Sequence, residues 1–246
     1  MNRKLLTDTE LRARWHVTHA KSISVPPDAM LTPAARDFIH ENGIELKVEG
    51  PSMTRVPVPF RDGKPQYVEA ETGRALSEKP EDMTHLNGNR LVSKLHPRIE
   101  FRGKLDSLTA RILLIQCKAQ SAGREALAEA LGEVLGRTRE ILAAEVREVP
   151  LETGTLLGMT DAELRHASHD VRQSCGIDHP IPHAGMGELA LEVNLLRTQV
   201  REAELSAMRA FTDEAGRCTR NDLVQALNRL SSGVYLIFCR MLAGRM

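Results

Sequence analysis

Residues 84–110 read THLNGNRLVSKLHPRIEFRGKLDSLTA, and this stretch changes from polar loop character to helical character within its own length. Its first half supplies two cations, Lys94 and Arg98, which lie four residues apart with Pro97 between them. Because proline disfavours a regular helix at and just before its position, this half is predicted to be a loop. A loop that carries paired cations is typical of an anion site.

The second half of the stretch has helical periodicity. Gly103 allows the backbone to turn, and apolar residues then recur at helical spacing: Leu105, Leu108, Ile112 and Ile115. A helix is therefore predicted over residues 104–120, with Asp106 in its first turn. A carboxylate there is favoured by the helix dipole.

Nearly all of the chain after residue 104 has the pattern of long helices separated by polar or Gly/Pro-containing breaks. The predicted helices are 104–120, 124–147, 160–173, 188–212 and 219–242. Their lengths and connections favour a mainly α protein built as a five-helix up-and-down bundle. Residues 84–246 are predicted to form this bundle with its preceding loop.

Residues 1–83 are predicted to form a small, irregular α+β region. A short helix is expected over residues 6–15 and a second from Pro33 to about residue 42, with Thr32 as its N-cap and Gly43 at its end. A strand is expected over 44–48. The alternation in residues 67–70 indicates at most the edge of a hairpin.

Composition excludes some classes of partner. Lys plus Arg and Asp plus Glu are 33 each, so the formal charge is zero and neither nucleic acid nor an anionic membrane is expected as the main partner. The four cysteines form no Cys-x-x-Cys pair, which is typical of a reducing cytoplasm. With no apolar run near 20 residues, a soluble cytoplasmic protein is expected.

The predicted helix 188–212 carries charge beside its core face. Arg197, Arg201 and Glu204 lie within about 60° of one another at 100° per residue, at the border of the apolar stripe. This pattern fits either a solvated flank with an ordinary Arg–Glu pair or a strip that faces an anionic ligand. On the last helix Asn228 interrupts an apolar run, so a buried-side amide with a structural or ligand partner is expected.

Several metal-capable side chains cluster between the third and fourth predicted helices: His166, His169, Cys175, Asp178, His179 and His183. Their spacing matches no zinc signature. Capping, loop packing or lining of a ligand pocket is the favoured role, and a metal site is the alternative.

Three blocks in order resemble the cobalamin adenosyltransferases, in particular their ethanolamine-utilisation branch. The first is THLNGNRLVSK followed by HPRIEFRGKLDS, in which Val92-Ser93-Lys94, Arg98-Ile99, Gly103 and Asp106 match the phosphate-loop signature. The others are NLLRTQVREAE (194–204) and QALNRLSSGVY (225–235), with a further likeness in LTPAARDFI. The resemblance implies a five-helix bundle with active sites between subunits.

The resemblance also implies a reaction in which reduced cobalt attacks the 5′ carbon of ATP and tripolyphosphate leaves. It assigns roles to seven residues: Lys94, Arg98, Arg197 and Arg201 bind the phosphates, Asp106 pairs with Arg197 across two helices, Glu204 acts through Mg²⁺, and Asn228 contacts adenine or ribose. Asp106, Arg197 and Arg201 are the expected catalytic residues. Ser232 stands where relatives have Asp, so the minor ligand contact that the Asp makes in the family is not carried over to this chain.

The expected assembly is a homotrimer that binds ATP and a corrinoid, with a reductase or a microcompartment component as a possible partner. Many ethanolamine-type members carry a His and a Cys-Cys-x-x-Cys group before the phosphate loop, but residues 51–83 contain neither His nor Cys. Activity without iron or zinc is therefore expected. The alternatives are a non-catalytic corrinoid carrier and a structural helical protein of a microcompartment.

Overall fold

The computed structural model describes residues 5–8, 11–12, 15, 22–25, 30–48 and 67–246, and it divides into two compact units, Met1–Pro59 and Phe60–Met246. The sequence-based division lay between residues 83 and 84. The structural division falls earlier because strands that begin at Tyr67 pair with the segment that precedes the first long helix. Residues 67–83 therefore fold with the helical unit.

The first unit consists of short parallel strand pairs and one helix. Its described elements are β1 (Leu5–Leu6), β2 (Ser22–Val25), β3 (Met30–Leu31), α1 (Pro33–Glu41) and β4 (Glu45–Val48), with β1 beside β3 and β2 beside β4. Thr32 caps α1 by accepting a hydrogen bond of 3.2 Å from the Ala35 amide, which confirms the predicted cap, helix and following strand.

The expected helix over residues 6–15 begins later than predicted. Leu6 lies in β1, and helical backbone is found at Asp8, Leu11, Arg12 and Trp15, while the residues between them lie outside the described part. The ring of Trp15 meets Phe38 of α1 edge-on, with 5.9 Å between centroids. This contact joins the early segment to α1.

A four-stranded sheet precedes the helices of the second unit. Its strands are β5 (Tyr67–Glu69), β6 (Ala75–Leu76), β7 (Met83–Asn87) and β8 (Arg90–Ser93), in the order β6-β5-β8-β7. The loop predicted for the start of the 84–110 stretch is wrong, since β7 and β8 form an antiparallel hairpin that turns at Gly88 with φ of 52°. The Asn-Gly pair and the buried Leu91 and Val92 are the hairpin signal that the polar composition obscured.

The strand β5 is also more than the predicted hairpin edge. It pairs with β6 on one side and with β8 on the other, so it is an inner strand. Three-residue strands carry too little periodicity to reveal such pairing in the sequence.

Four long helices form the core of the second unit. The four long helices are α2 (Pro97–Ser121), α3 (Glu125–Arg147), α6 (Glu188–Phe211) and α7 (Asn221–Leu242). Two short helices, α4 (Asp161–His169) and α5 (Val171–Cys175), and a 3₁₀ turn at Ala184–Met186 lie between α3 and α6. The long helices pack in a closed ring, α2 on α3, α3 on α7, α7 on α6 and α6 on α2, and α4 packs outside α7. The ion pairs Lys104–Glu202 and Lys118–Glu188 run in opposite directions along α2 and α6, so these helices are antiparallel.

The mainly α class is confirmed, but the count of five helices is not exact. The predicted helix 160–173 is broken at Asp170, whose backbone leaves the helical region and whose carboxylate caps α5 by accepting from the Gln173 amide at 3.0 Å. An Asp side chain offers the backbone an alternative to helix continuation, which explains the break. The start of α4 agrees with prediction, since Thr160 and Glu163 form a capping box.

The start of the first long helix was also predicted wrongly. Helix α2 begins at Pro97, with His96 as its N-cap accepting from the Arg98 amide at 3.1 Å, and Gly103 lies inside the helix. Proline is pre-organised for the first helical position, where its missing N–H costs nothing. Pro97 therefore starts a helix that the sequence interpretation expected it to prevent.

Candidate functional site

A cleft of about 170 Å³ lies between the end of α4 and the facing sides of α6 and α7. It is lined by Ser168, His169, Arg197, Arg201, Ser231, Ser232 and Tyr235. The two arginines come from α6 one turn apart, as their spacing predicted. The structure thus places both cations of the predicted strip on the border of one cleft.

Arg197 is held in the cleft by two contacts. Its Nε donates to Oδ1 of Asn194 at 3.1 Å, and its guanidinium carbon lies 5.9 Å from the centre of the Tyr235 ring. Both contacts leave terminal N–H groups of the guanidinium for a ligand. Arg201 is exposed at the same cleft.

Glu204 and Asn228 link α6 to α7 beside this cleft. Nδ2 of Asn228 donates to Oε1 of Glu204 at 3.0 Å, and Oδ1 of Asn228 accepts from Nη1 of Arg229 at 2.8 Å. The expectation of a buried-side Asn228 is wrong, because the residue is exposed on the outer edge of α7. One N–H of its amide still holds Glu204, which orients that carboxylate and leaves its second oxygen open, while the other N–H is left for a ligand.

Tyr235 is a cleft residue that the sequence interpretation missed. Its hydroxyl lies 2.7 Å from Nδ1 of His179, and the two rings are nearly parallel at 11°. Burial raises the pKa of Tyr235 far above its usual value, so the phenol stays protonated. The spacing of Asn228, Ser231, Ser232 and Tyr235 along one helix face is the signal that could have found it.

The metal-capable residues of α4, α5 and the loop that follows them do not come together. His166, His169 and His183 are exposed, whereas Cys175 is buried, and His179 uses both ring nitrogens in contacts to Tyr235 and to the carbonyl of His169. Within the described ranges no group of three His, Cys, Asp or Glu side chains is arranged to hold a metal ion.

The nearby thiol of Cys239 is held in its neutral form. Burial raises the pKa of Cys239 to about 11, with the neighbouring Tyr235 hydroxyl opposing the shift. The thiol is therefore not a thiolate nucleophile at neutral pH.

Arg98 lies at a second location, at the junction of the sheet with α2 and α3. Its Nε donates to Oε1 of Glu145 at 2.6 Å and its Nη1 donates to Oε1 of Glu148 at 2.6 Å. Arg102 donates to the same Glu145 carboxylate at 2.5 Å, and Asn87 of β7 donates to Glu148 at 2.6 Å. Arg98 is thus part of a structural network, a role that the loop prediction did not include.

Two pairs of cations were predicted to bind phosphate, Lys94 with Arg98 and Arg197 with Arg201, and the two pairs are far apart within one chain. The guanidinium of Arg98 lies 5.8 Å from the ring centre of Phe211, the last residue of α6, whereas Arg197 precedes Phe211 by almost four turns. At about 1.5 Å per residue this is a separation on the order of 20 Å along the helix. Lys94 is exposed just before α2, on the Arg98 side.

Asp106 and Arg197 do not pair within the chain. Asp106 is exposed on the outer side of α2, while Arg197 faces Tyr235 of α7. In the part of the chain that the structure describes, no ion pair within 4.0 Å involves Asp106. A single chain therefore does not form the predicted ion pair, because α6 turns its arginines toward α7 and away from α2.

A family model described as cobalamin adenosyltransferase matches residues 75–241, which include strands β6, β7 and β8 of the sheet, the Arg98 junction and the whole cleft. The chain belongs to the cobalamin adenosyltransferase family. The resemblance carried by the three sequence blocks is confirmed. The adenosyltransferase match also covers residues 75–83, in agreement with the structural division of the chain.

Among curated adenosyltransferases the ethanolamine-type proteins match over most of their length. The chain is 32% identical to the corrinoid adenosyltransferase EutT of Salmonella typhimurium over 94% of this chain and 90% of that protein. It is 31% identical to EutT of Escherichia coli K12 over the same shares. The corrinoid adenosyltransferase PduO of Salmonella typhimurium is 29% identical over 63% of this chain and 45% of that protein.

The comparison with solved structures found no significant match to this adenosyltransferase. None of its helices in the described ranges combines the length and the apolar character that crossing a bilayer requires.

Proposed function

We propose that this family member is an ATP:corrinoid adenosyltransferase that serves ethanolamine utilisation. It transfers the 5′-deoxyadenosyl group of ATP to reduced cobalt and makes adenosylcobalamin. The observation that carries the proposal is the pairing of Arg197 and Arg201 on one cleft beside the oriented Glu204–Asn228 pair. The similarity to two ethanolamine-type enzymes supports the physiological context.

The chemistry requires positioning and charge from the protein, and no protein nucleophile. Cobalt attacks the 5′ carbon with its electron pair, the carbon–oxygen bond breaks, and tripolyphosphate leaves with that bond's electrons. Cations that face the leaving group stabilise its negative charge in the transition state. Lys94, Arg98, Arg197 and Arg201 supply them, and Asn228 holds the nucleoside.

Glu204 fits a role with Mg²⁺. One of its oxygens accepts from Asn228, which leaves the second for an oxygen-seeking cation. Mg²⁺ is usually held by one or two carboxylates together with substrate phosphates and water, so a single oriented carboxylate is sufficient. Bound there, Mg²⁺ would neutralise part of the triphosphate charge.

A homotrimer with the active site shared between subunits is part of this proposal. Arg98 and Arg197 are separated by a distance on the order of 20 Å along α6, and Lys94 lies on the Arg98 side. Because one chain cannot place Lys94 and Arg197 on the same triphosphate, this separation supports a site shared between subunits. Exposed apolar side chains on α6 and α2 offer a surface for a second copy: Leu195 (43%), Leu205 (60%) and Leu114 (59%). Exposed Asp106 of one subunit is then free to meet Arg197 of the next.

The ethanolamine context extends the proposal to location and partners. We place the enzyme in the cytoplasm, in contact with a cobalamin reductase or with a component of a bacterial microcompartment. The similarity to EutT proteins supports this context.

An anaerobic assay tests the function. The full chain is mixed with ATP, Mg²⁺ and chemically reduced cobalamin, and formation of light-sensitive adenosylcobalamin is followed by its absorption spectrum. Turnover that requires ATP is expected. Corrinoid binding without ATP binding would instead identify a carrier, and binding of neither would identify a structural protein.

Metal analysis of the same preparation tests the cofactor assignment. Turnover is expected to need added Mg²⁺ and to survive removal of iron and zinc. A stoichiometric transition metal whose removal abolishes turnover would contradict the assignment.

A further inference from the structure

The loop of residues 176–187 contributes a side chain that supports the cleft from behind. His179 in this loop lies edge to edge with Tyr235: the hydroxyl of Tyr235 is 2.7 Å from Nδ1, the ring centroids are 6.0 Å apart and the planes are nearly parallel at 11°. Tyr235 in turn lies under the guanidinium of Arg197 at 5.9 Å. The three side chains therefore form a continuous chain of contacts from the loop to the cleft.

The hydrogen bonds of His179 determine its tautomer. Nε2 lies 3.3 Å from the backbone carbonyl of His169, and a carbonyl can only accept, so Nε2 carries the proton. Nδ1 is then an acceptor and receives the hydroxyl proton of Tyr235 at 2.7 Å. The neutral imidazole is fully satisfied and fixes the phenol in one orientation.

Arg197 depends on that orientation. Among the described residues it makes one side-chain hydrogen bond, from Nε to Asn194, and one ring contact, with the face of Tyr235. Cations are attracted to the negative face of an aromatic ring, so the ring position limits where the guanidinium can lie. Without it, the long side chain of Arg197 would sample other rotamers at the edge of the cleft.

We infer that His179 is a positioning residue for ATP: it holds Tyr235 beneath Arg197 so that the guanidinium faces the nucleotide's phosphates. The inference rests on the proposed function, because it assigns the cleft to ATP. His179 itself touches no substrate in this arrangement. Its effect reaches ATP only through Tyr235 and Arg197.

The test compares variants of the full chain by calorimetric titration with ATP and by steady-state kinetics. His179→Ala should weaken ATP about fivefold, the effect of losing one net hydrogen bond, and raise the KM for ATP while the KM for corrinoid is unchanged. His179→Asn, whose side-chain oxygen can replace Nδ1 as acceptor, should recover most of the affinity. His183→Ala is the matched control, an exposed histidine of the same loop, and should bind ATP like the parent.

A double-mutant cycle separates positioning from general loop stability. In an Arg197→Ala background, His179→Ala should cause little further loss of ATP affinity, because its effect requires the guanidinium. Additive losses, or parent-like ATP affinity in His179→Ala, would overturn the inference while leaving the proposed function intact. If the parent binds ATP with this coupling but forms no adenosylcobalamin, the inference stands and the proposed function fails.

Discussion

Nε of Arg98 donates a hydrogen bond of 2.6 Å to Oε1 of Glu145, a carboxylate with no solvent-exposed surface. Arg102 donates to the other oxygen of the same carboxylate at 2.5 Å. These contacts join the first turns of α2 to the last turns of α3. The network also reaches β7 through Glu148 and Asn87, so it fixes the sheet against the bundle.

Removing the shared carboxylate should therefore destabilise the protein. Glu145→Ala leaves the largely buried guanidinium of Arg102 without its carboxylate and that of Arg98 with Glu148 alone, and a loss of about 3 to 5 kcal/mol is expected. Denaturant unfolding measures it. Glu129→Ala, an exposed glutamate on the same helix, is the control and should change stability by less than about 0.5 kcal/mol.

Lys94→Ala provides a clean test of the phosphate assignment. Because Lys94 is exposed, its removal should weaken the binding free energy of ATP by about 1.5 to 3 kcal/mol and leave the unfolding midpoint unchanged. Corrinoid affinity should stay at the parent value. Titration with ATP and with cobalamin checks both, with exposed Lys79→Ala as control, and unchanged ATP affinity would remove Lys94 from the site.

Arg98→Ala should produce two losses together. ATP affinity should fall more than corrinoid affinity, and the unfolding midpoint should also fall because Glu145 becomes a buried charge with one partner fewer. The same titrations and a thermal melt measure the two effects. A lower midpoint with parent-like ATP affinity would show that Arg98 acts only in the network.

Subunit mixing tests the shared site. Asp106→Asn and Arg197→Ala should each abolish most turnover, but co-expressed chains should recover part of it. Recovery is expected because a mixed oligomer contains interfaces at which both residues are intact. The measurement compares the turnover of purified mixed oligomers with that of each single variant. If verified mixed oligomers recover no turnover, both residues belong to a site within one subunit or lie outside the mechanism.

Gly233 on α7 leaves room for the loop that precedes α4. A Cβ there would lie 2.4 Å from Cδ2 of Leu156, so Gly233→Ala should cost about 1 to 3 kcal/mol through overpacking. Adding Leu156→Ala should remove the clash and part of the cost. Gly136→Ala on α3, whose added Cβ would meet no described atom within 4 Å beyond its chain neighbours and its own helix backbone, should be neutral or stabilising by up to about 1 kcal/mol.

The N-cap of α2 should make stability fall in acid. Burial lowers the pKa of His96, the nearby Arg98 and Arg102 act in the same direction, and Glu71 and Glu145 oppose them. Because the folded protein binds this proton less tightly than the unfolded chain, stability should drop as pH falls below about 6.5 toward the lowered pKa. Protonated Nδ1 could no longer accept from the Arg98 amide.

Unfolding across this pH range measures the effect. His96→Asn retains a cap without a titrating group and should show a smaller drop than the parent. Equal pH dependence in the two proteins would assign the effect to other histidines.

The sequence by itself determined the helical class, the ends of the last two long helices to within two residues, and the family. Long amphipathic helices can be predicted from the sequence because their hydrophobic periodicity is repeated over six or more turns, as in α6 and α7. The shared strip of Arg197 and Arg201 followed for the same reason, since helical spacing alone sets which residues share a face.

Only the tertiary structure decided what those faces meet. The ion pair of Arg98 with Glu145 joins residues 47 apart, and the contact of His179 with Tyr235 joins residues 56 apart, so no local pattern could encode either. The same limit explains why the sequence could not show whether Asp106 and Arg197 meet within one chain. Helical spacing predicts which side of its own helix each of these two residues occupies. The rotation that turns the arginines of α6 toward α7 is set by packing of the whole core.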